Sequence, residues 1–199
     1  MKKLIPFAIA LFLAGCTQEA PKEKKVKAPP EPVSAQSAFF KMFGQARQWA
    51  NDAQVLKVEP VPLTAIKEKG GKWPAWRATF TSDTKRRMKS FQFSVVESDG
   101  VHEGVFGGTE ESWGGSRGQE IAFLMQAFKI DSPAAIDTAI GKSAEYIKKH
   151  PDVPITVVLG KTKEDGNPTW RVIWGASAST SNYSVYVDAT SGQYLKTMH

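Results

Sequence analysis

Apolar residues return at Phe39, Phe43, Ala46, Trp49 and Ala50, the spacing of one face of an α-helix. Ile136, Ile140, Ser143, Tyr146 and Ile147 carry the same spacing in the second half of the chain. The second helix is punctuated at both ends. Asp131-Ser132 before Pro133 suits a Ser N-cap with Pro at the first helical position, and Lys148, Lys149 and His150 fill the last turn before Pro151. Gly44 and Gly141 follow the second anchor of each helix and predict places where a strand or the other helix comes close. After each helix the period shifts to that of a strand: Val55–Val58 in the first half, Ile155–Leu159 in the second.

Two further strands follow in each half, and here one plan reads as written twice. Pro74-Ala75-Trp76-Arg77-Ala78-Thr79-Phe80 stands against Pro168-Thr169-Trp170-Arg171-Val172-Ile173-Trp174. Phe91–Val96, ending at Asp99-Gly100, stands against Tyr183–Asp188, ending at Ser191-Gly192. Alternation bounded by polar and glycine turns predicts antiparallel hairpins with one buried face. The expected unit is helix, strand, strand, strand, and the expected class is α+β, with two tandem helix-plus-antiparallel-sheet repeats. The first repeat spans residues 37–100 and the second 131–199, with a glycine-rich connection and short helix over 101–130. The aromatics at strand positions, Trp76, Phe80, Phe91, Phe93, Trp170, Trp174, Tyr183 and Tyr186, read as core. Joining the two sheets edge to edge would hide edge strands from aggregation.

The stretches Ile130-Asp131-Ser132-Pro133-Ala134-Ala135-Ile136, Trp170-Arg171-Val172-Ile173-Trp174 and Tyr186-Val187-Asp188-Ala189-Thr190-Ser191-Gly192-Gln193-Tyr194-Leu195 resemble a PepSY-type domain. The resemblance covers the second repeat. The first half shares only Trp76-Arg77 and Asp99-Gly100 with the pattern and lacks its ending. It implies a helix beside a small antiparallel sheet, closed by a hairpin. PepSY domains occur in propeptides of thermolysin-like metallopeptidases and in many bacterial envelope proteins. The implied role is restraint or binding of peptidases without catalysis, and the family shares no compact set of binding residues.

The N-terminus sets the expected compartment. Met1-Lys2-Lys3, the apolar run Leu4–Leu13 and the small residues before Cys16 have the form of a secretory signal peptide over residues 1–15. That apolar run is too short for a membrane-spanning helix. Leu13-Ala14-Gly15-Cys16 resembles the bacterial lipobox, which implies a diacylglycerol on the Cys16 thiol and cleavage just before it. The alternative is a plain secreted protein with a free thiol. Residues 16–36 would form the lipidated tether, rich in proline and lysine and poor in large apolar side chains, and so extended and solvated. Cys16 is the only cysteine, so stability comes from an ordinary core without disulfides. Thr17 in place of Asp directs such a lipoprotein to the outer membrane, facing the periplasm, if the source is Gram-negative. The formal charge of +6 includes Lys2 and Lys3; the remaining mild basic excess suits lipid head groups, glycans or acidic peptides. Outside the cytoplasm, nucleic acid is not an expected partner.

No coherent catalytic set emerges. His102, His150 and His199 lie at no metal-binding spacing, so neither a metal nor a cofactor is expected. Gly114-Gly115-Ser116-Arg117-Gly118 matches a G-x-S-x-G elbow, but no buried strand precedes it. A helix is expected after it, from Ile121, Leu124, Met125 and Phe128. Gly141-Lys142-Ser143 and Gly160-Lys161-Thr162 end like phosphate loops, but Ile136 and Ile155 occupy the place of the required earlier glycine.

Two places remain as candidate binding sites. The connection from Gly104 to Gly118 holds six glycines and presents Trp113 among Glu110, Glu111 and Arg117, a natural anchor for a peptide or glycan. The alternative is a flexible spacer between repeats with Trp113 folded back on the core. Lys85-Arg86-Arg87-Met88-Lys89 places four cations on the turn of the first hairpin, suited to lipid phosphates or acidic peptides. The expected protein is a membrane-anchored, non-catalytic envelope lipoprotein that binds a protein or peptide partner, in its sharpest form by restraining a secreted peptidase. The alternative is a structural or assembly factor of an envelope complex.

Overall fold

A computed structural model describes residues 30–98, 100–117 and 120–199. Cys16, the signal sequence and most of the expected tether lie outside the described residues. Helix α1 (Ala35–Trp49) is followed by strands β1 (Gln54–Val61), β2 (Ala75–Ser82), β3 (Arg87–Ser94) and β4 (Gly104–Ser112). Helices α2 (Ser132–Gly141) and α3 (Ala144–Lys149) are followed by β5 (Ile155–Gly160), β6 (Thr169–Trp174), β7 (Tyr183–Asp188) and β8 (Tyr194–Met198). The strands form one sheet in the order β4-β3-β2-β1-β5-β6-β7-β8, with every neighbouring pair antiparallel. The chain is thus α+β, with few helices on an eight-stranded antiparallel sheet. β1 and β5 meet at the seam, where Val58 faces Leu159.

Alternation places Trp76, Ala78 and Phe80 of β2, Phe91 and Phe93 of β3, and Trp170, Val172 and Trp174 of β6 in the core cluster with the helices. Tyr183 is buried with them, whereas Tyr186 is half-buried and meets Arg171 and Lys196 instead. From α1, Ala35, Ala38, Phe39, Met42 and Ala46 are fully buried. Phe39 touches Phe80 (ring centroids 5.7 Å apart) and Phe128 (5.3 Å), and Phe128 in turn meets Trp170 (5.7 Å), so one aromatic chain crosses the seam. Intervening strand positions carry polar cross-strand pairs such as Thr79–Ser90 and Arg171–Ser184.

The beginnings of the two helices are hydrogen-bonded to each other. Asp131, not Ser132, is the N-cap of α2, and its Oδ1 accepts from the Ser132 amide (2.7 Å) and from the Gln36 amide of α1 (2.9 Å). Ser132 is fully buried in the first turn instead. Its Oγ accepts from the Ala35 amide (3.0 Å) and donates to the Gly71 carbonyl (2.7 Å). Gly71 has φ +78°, and a Cβ there would lie 2.8 Å from Pro133 Cα, so the β1–β2 loop reaches this point only with glycine. Two indoles brace the knot. Trp76 Nε1–H donates to the Val33 carbonyl (2.9 Å), just before the α1 cap, and Trp170 Nε1–H to the Ile130 carbonyl (2.8 Å), just before the α2 cap.

Several expectations are corrected. Each helix is followed by four strands rather than three, and residues 104–112, expected as connection, form edge strand β4. The glycines there serve close packing at a bulge. A Cβ on Gly107 would lie 3.2 Å from Phe91 Cε1, and one on Gly108 3.3 Å from the Ser90 carbonyl oxygen. The helix expected from Ile121 to Phe128 is a single 3₁₀ turn, Met125–Ala127. Its chain is drawn out instead by backbone pairing across the seam: Phe123 exchanges hydrogen bonds with Val55 of β1, and Ile121 donates to Lys161 just beyond β5. The second helix breaks at Lys142–Ser143, where Ser143 Oγ donates to the Ala139 carbonyl and accepts from Tyr183 Oη. Ile140 is exposed, and a Cβ on Gly44 or Gly141 would meet nothing within 4 Å.

Asp131→Ala removes the α2 cap together with the bond to the Gln36 amide of α1 and should cost about 2 kcal/mol, whereas Ser34→Ala, which removes only the bond of the α1 N-cap Ser34 to the Ser37 amide, should cost about 1 kcal/mol. Urea unfolding of the two variants measures the difference.

Candidate functional site

The β2–β3 turn is shaped by two carboxylates. Asp52, in the turn before β1, accepts from Ser82 Oγ (2.6 Å) and from the Thr84 amide (2.9 Å). These bonds, the Ser82 hydroxyl first and the Thr84 amide second, hold its carboxyl down at about 2. The turn then closes with the Lys85 amide donating to Ser82 Oγ and the Arg86 amide to the Asp83 carbonyl. Closure places Arg86 at φ +55°, and every other positive-φ residue in the described chain is a glycine.

The end of β4 folds onto this turn. The Trp113 amide donates to the Arg86 carbonyl (3.0 Å), and Trp113 Nε1–H donates to Asp83 Oδ1 (2.9 Å). Trp113 is half-buried rather than free. Beyond it, Arg117 lies along the backbone at Gly114, where an added Cβ would sit 3.3 Å from the guanidinium. Asp83, Arg86, Trp113, Gly114, Gly115 and Arg117 together line an open cavity of about 480 Å³.

The two candidate sites of the sequence are therefore one place. Antiparallel pairing of β3 with β4, from Arg87–Ser112 onward, brings Trp113 and Arg117 back to the cationic turn. Arg87 donates to Ser112 Oγ (3.3 Å), and Lys85 Nζ lies 5.9 Å from the Trp49 ring. Lys89 is turned away from this group. It lies over Phe91 and stands opposite Glu110 across the strands. Asp52, Ser82 and Asp83, which position the turn, were not singled out by the sequence; Ser82-Asp83-Thr84 beside a basic run was the available signal.

The electrostatics of this end are unequal. Its carboxylates accept from neutral donors: Asp52 from Ser82 and Thr84, Asp83 from Trp113, and Glu110 from Trp49 Nε1–H (2.8 Å). Among the described residues, none of Lys85, Arg86, Arg87, Lys89 and Arg117 is in an ion pair. The arrangement can receive an anion with an indole beside it.

The G-x-S-x-G and phosphate-loop-like stretches make local hydrogen bonds. Ser116 Oγ accepts from the Ala122 amide, after an exposed edge strand and ahead of extended chain; Gly118 of that motif is outside the described residues. Lys161 Nζ donates to the Gly166 carbonyl, and the Thr162 amide donates to Asp165. His102 pairs with Glu97, His150 caps the end of α3 and lies against Tyr146, and His199 lies against Tyr183. Among the described residues no three His, Cys, Asp or Glu side chains are grouped to hold a metal ion. A cavity of about 410 Å³ lined by Leu56, Val158, Lys161, Arg171 and Tyr186, next to the seam, was not anticipated.

In comparisons with known proteins, no family model, curated protein or solved structure matches this chain.

The lowered Asp52 carboxyl ties the turn to pH. Its ionised form is favoured by folding, so its contribution is complete above the ordinary value near 3.8 and is lost as pH falls toward 2. Denaturant unfolding at stepped pH should show Asp52→Asn less stable than the parent at pH ~5, with the gap closing by pH ~2.

Proposed function

We propose that this chain is a non-catalytic lipoprotein of the bacterial cell envelope, held on the membrane through acylated Cys16, whose folded part binds a protein or peptide partner. The observation that carries the binding role is the meeting of Trp113, Arg86 and Arg117 around one cavity, with these cations in no ion pair among the described residues. The lipobox-like sequence supports the anchor. Among the described residues no helix is long and apolar enough to cross a membrane.

The folded part is read as two PepSY-like repeats. Corresponding bonds support this: Trp76 to Val33 ahead of α1, and Trp170 to Ile130 ahead of α2. The closing turn of the second half also suits the family ending. Burial opposes ionisation of Asp188, but bonds from Asn167 Nδ2 and the Ser191 and Thr190 amides outweigh it and hold the carboxyl below its ordinary value. Gly192 completes that turn at φ +79°. The family resemblance points to a peptidase as the partner, restrained without being cleaved.

Affinity capture from the native envelope, with the lipidated chain as bait and mass spectrometry as readout, tests the reading. A secreted peptidase, displaced by excess bait and slowed in turnover by it, is the expected catch. Recovery of envelope-assembly proteins alone would overturn peptidase restraint in favour of an assembly role. Separately, Cys16→Ser should move the protein from the membrane fraction to the soluble one after cell breakage and centrifugation.

A further inference from the structure

We infer that the cavity lined by Arg86, Arg117 and Trp113 takes an acidic peptide segment, with a side-chain carboxylate of that segment seated against the guanidinium groups. The inference rests on the partner-binding reading above and names the chemistry of the partner. A guanidinium pairs with a carboxylate in a fixed two-pronged geometry, and Trp and Arg are the residues that most often dominate binding energy.

Three observations favour this ligand. The first is charge. Asp83 also lines the cavity, but its Oδ1 is bonded to the Trp113 indole, and Asp52 and Glu110 likewise bond hydroxyl, amide and indole donors. Among the described residues no carboxylate therefore forms an ion pair with the Arg86 or Arg117 guanidinium.

The second is preorganisation. The Trp113 ring is fixed through both its Nε1–H and its backbone amide, so little side-chain freedom remains to be lost on binding. Arg86 occupies a left-handed conformation that glycine adopts without strain. An arginine there is strained, and such strain concentrates at binding sites. The chain thus keeps a guanidinium where the backbone alone favours glycine.

The third is position. Among the described residues the chain enters the sheet beside the start of β2, where Val33 pairs with Trp73, and the cationic turn follows the end of β2 at Ser82. Eight strand residues separate those ends by roughly 25 Å. A lipid anchor at Cys16 would precede that entry point in the chain, which is at the end of β2 opposite the site. The site thus lies at the end of β2 away from that entry point, which favours a soluble acidic segment over lipid head groups.

The test uses the full chain in micelles of uncharged detergent, with fluorescein-labelled octaglutamate as probe and anisotropy as readout. Octaglutamate should bind saturably, octaglutamine should not, and added salt should weaken binding. Arg86→Gly and Arg117→Gln should each weaken it by about tenfold, while Arg47→Gln on α1 leaves it unchanged. Arg86→Gly relieves the left-handed strain, so its loss of binding cannot be assigned to unfolding; thermal melts confirm this. Octaglutamate that fails to bind, or binds both site variants as tightly as the parent, overturns the inference. Binding of glycerophosphoglycerol without octaglutamate overturns it in favour of lipid head groups. A native partner captured equally by parent and site variants leaves the partner-binding reading standing and removes this one.

Discussion

The architecture depends on a shared capping point between two helices. A helix leaves its first amides without partners, and two helix starts brought together double the number to be satisfied. Asp131 Oδ1 answers one amide from each helix, and Ser132 Oγ takes another from α1 while donating to the β1–β2 loop. A carboxylate is suited to this place because both helix dipoles present their positive ends to it. The residues linked here lie more than ninety positions apart in sequence. The bonds therefore hold the two halves of the chain together as well as ending the helices. Trp76 and Trp170 add a second function to their bulk, since each fixes the carbonyl just ahead of a cap and so the angle at which its helix leaves the sheet.

The segment between β4 and α2 completes the joint. Phe123 pairs with β1, Ile121 with the end of β5, and Lys129 and Ile130 both donate to the Ala189 carbonyl. Phe128 fills the space between Phe39 and Trp170. A helix here would keep these amides within the segment and leave the β1–β5 seam without its cover. Extended chain spends them on the two halves instead. This is a case of tertiary pairing overriding a local helical pattern.

Much of this was legible in the sequence, and the failures have physical causes. The strand periods and buried aromatics were readable because period-two alternation admits only one face toward the core. Residues 121–128 misled because apolar spacing was scored without knowing which side chains are buried. Phe123 and Phe128 are buried, while Leu124 is 62% exposed. The glycines of β4 misled because glycine marks both a loop and a bulge, and only the partner strand separates the two. Trp113 and the basic turn were each visible, but their meeting depends on β3–β4 register, which no local pattern encodes. The shared cap was half legible: Asp131-Ser132-Pro133 announced a helix start, but nothing local announced that it serves two.

The same logic separates the stable part of the molecule from the part that binds. Near the seam, polar groups are spent on one another and aromatic contacts are continuous, so opening there breaks many interactions at once. At the far edge β4 is largely exposed, and its end is tied to the turn by Trp113. Regions with few buried contacts open at low cost, which suits a surface that must accept a ligand. Asp52 and Asp83 offset that tendency locally, because each ties the turn to a different neighbour: the residues before β1 and the end of β4. These carboxylates hold the backbone of the turn without, among the described residues, forming ion pairs with its cations. An Asp52 or Asp83 paired instead with Arg86 would give a similar turn and cancel its charge. The choice of neutral donors is thus what lets one short turn be ordered while its cationic groups stay open to a ligand.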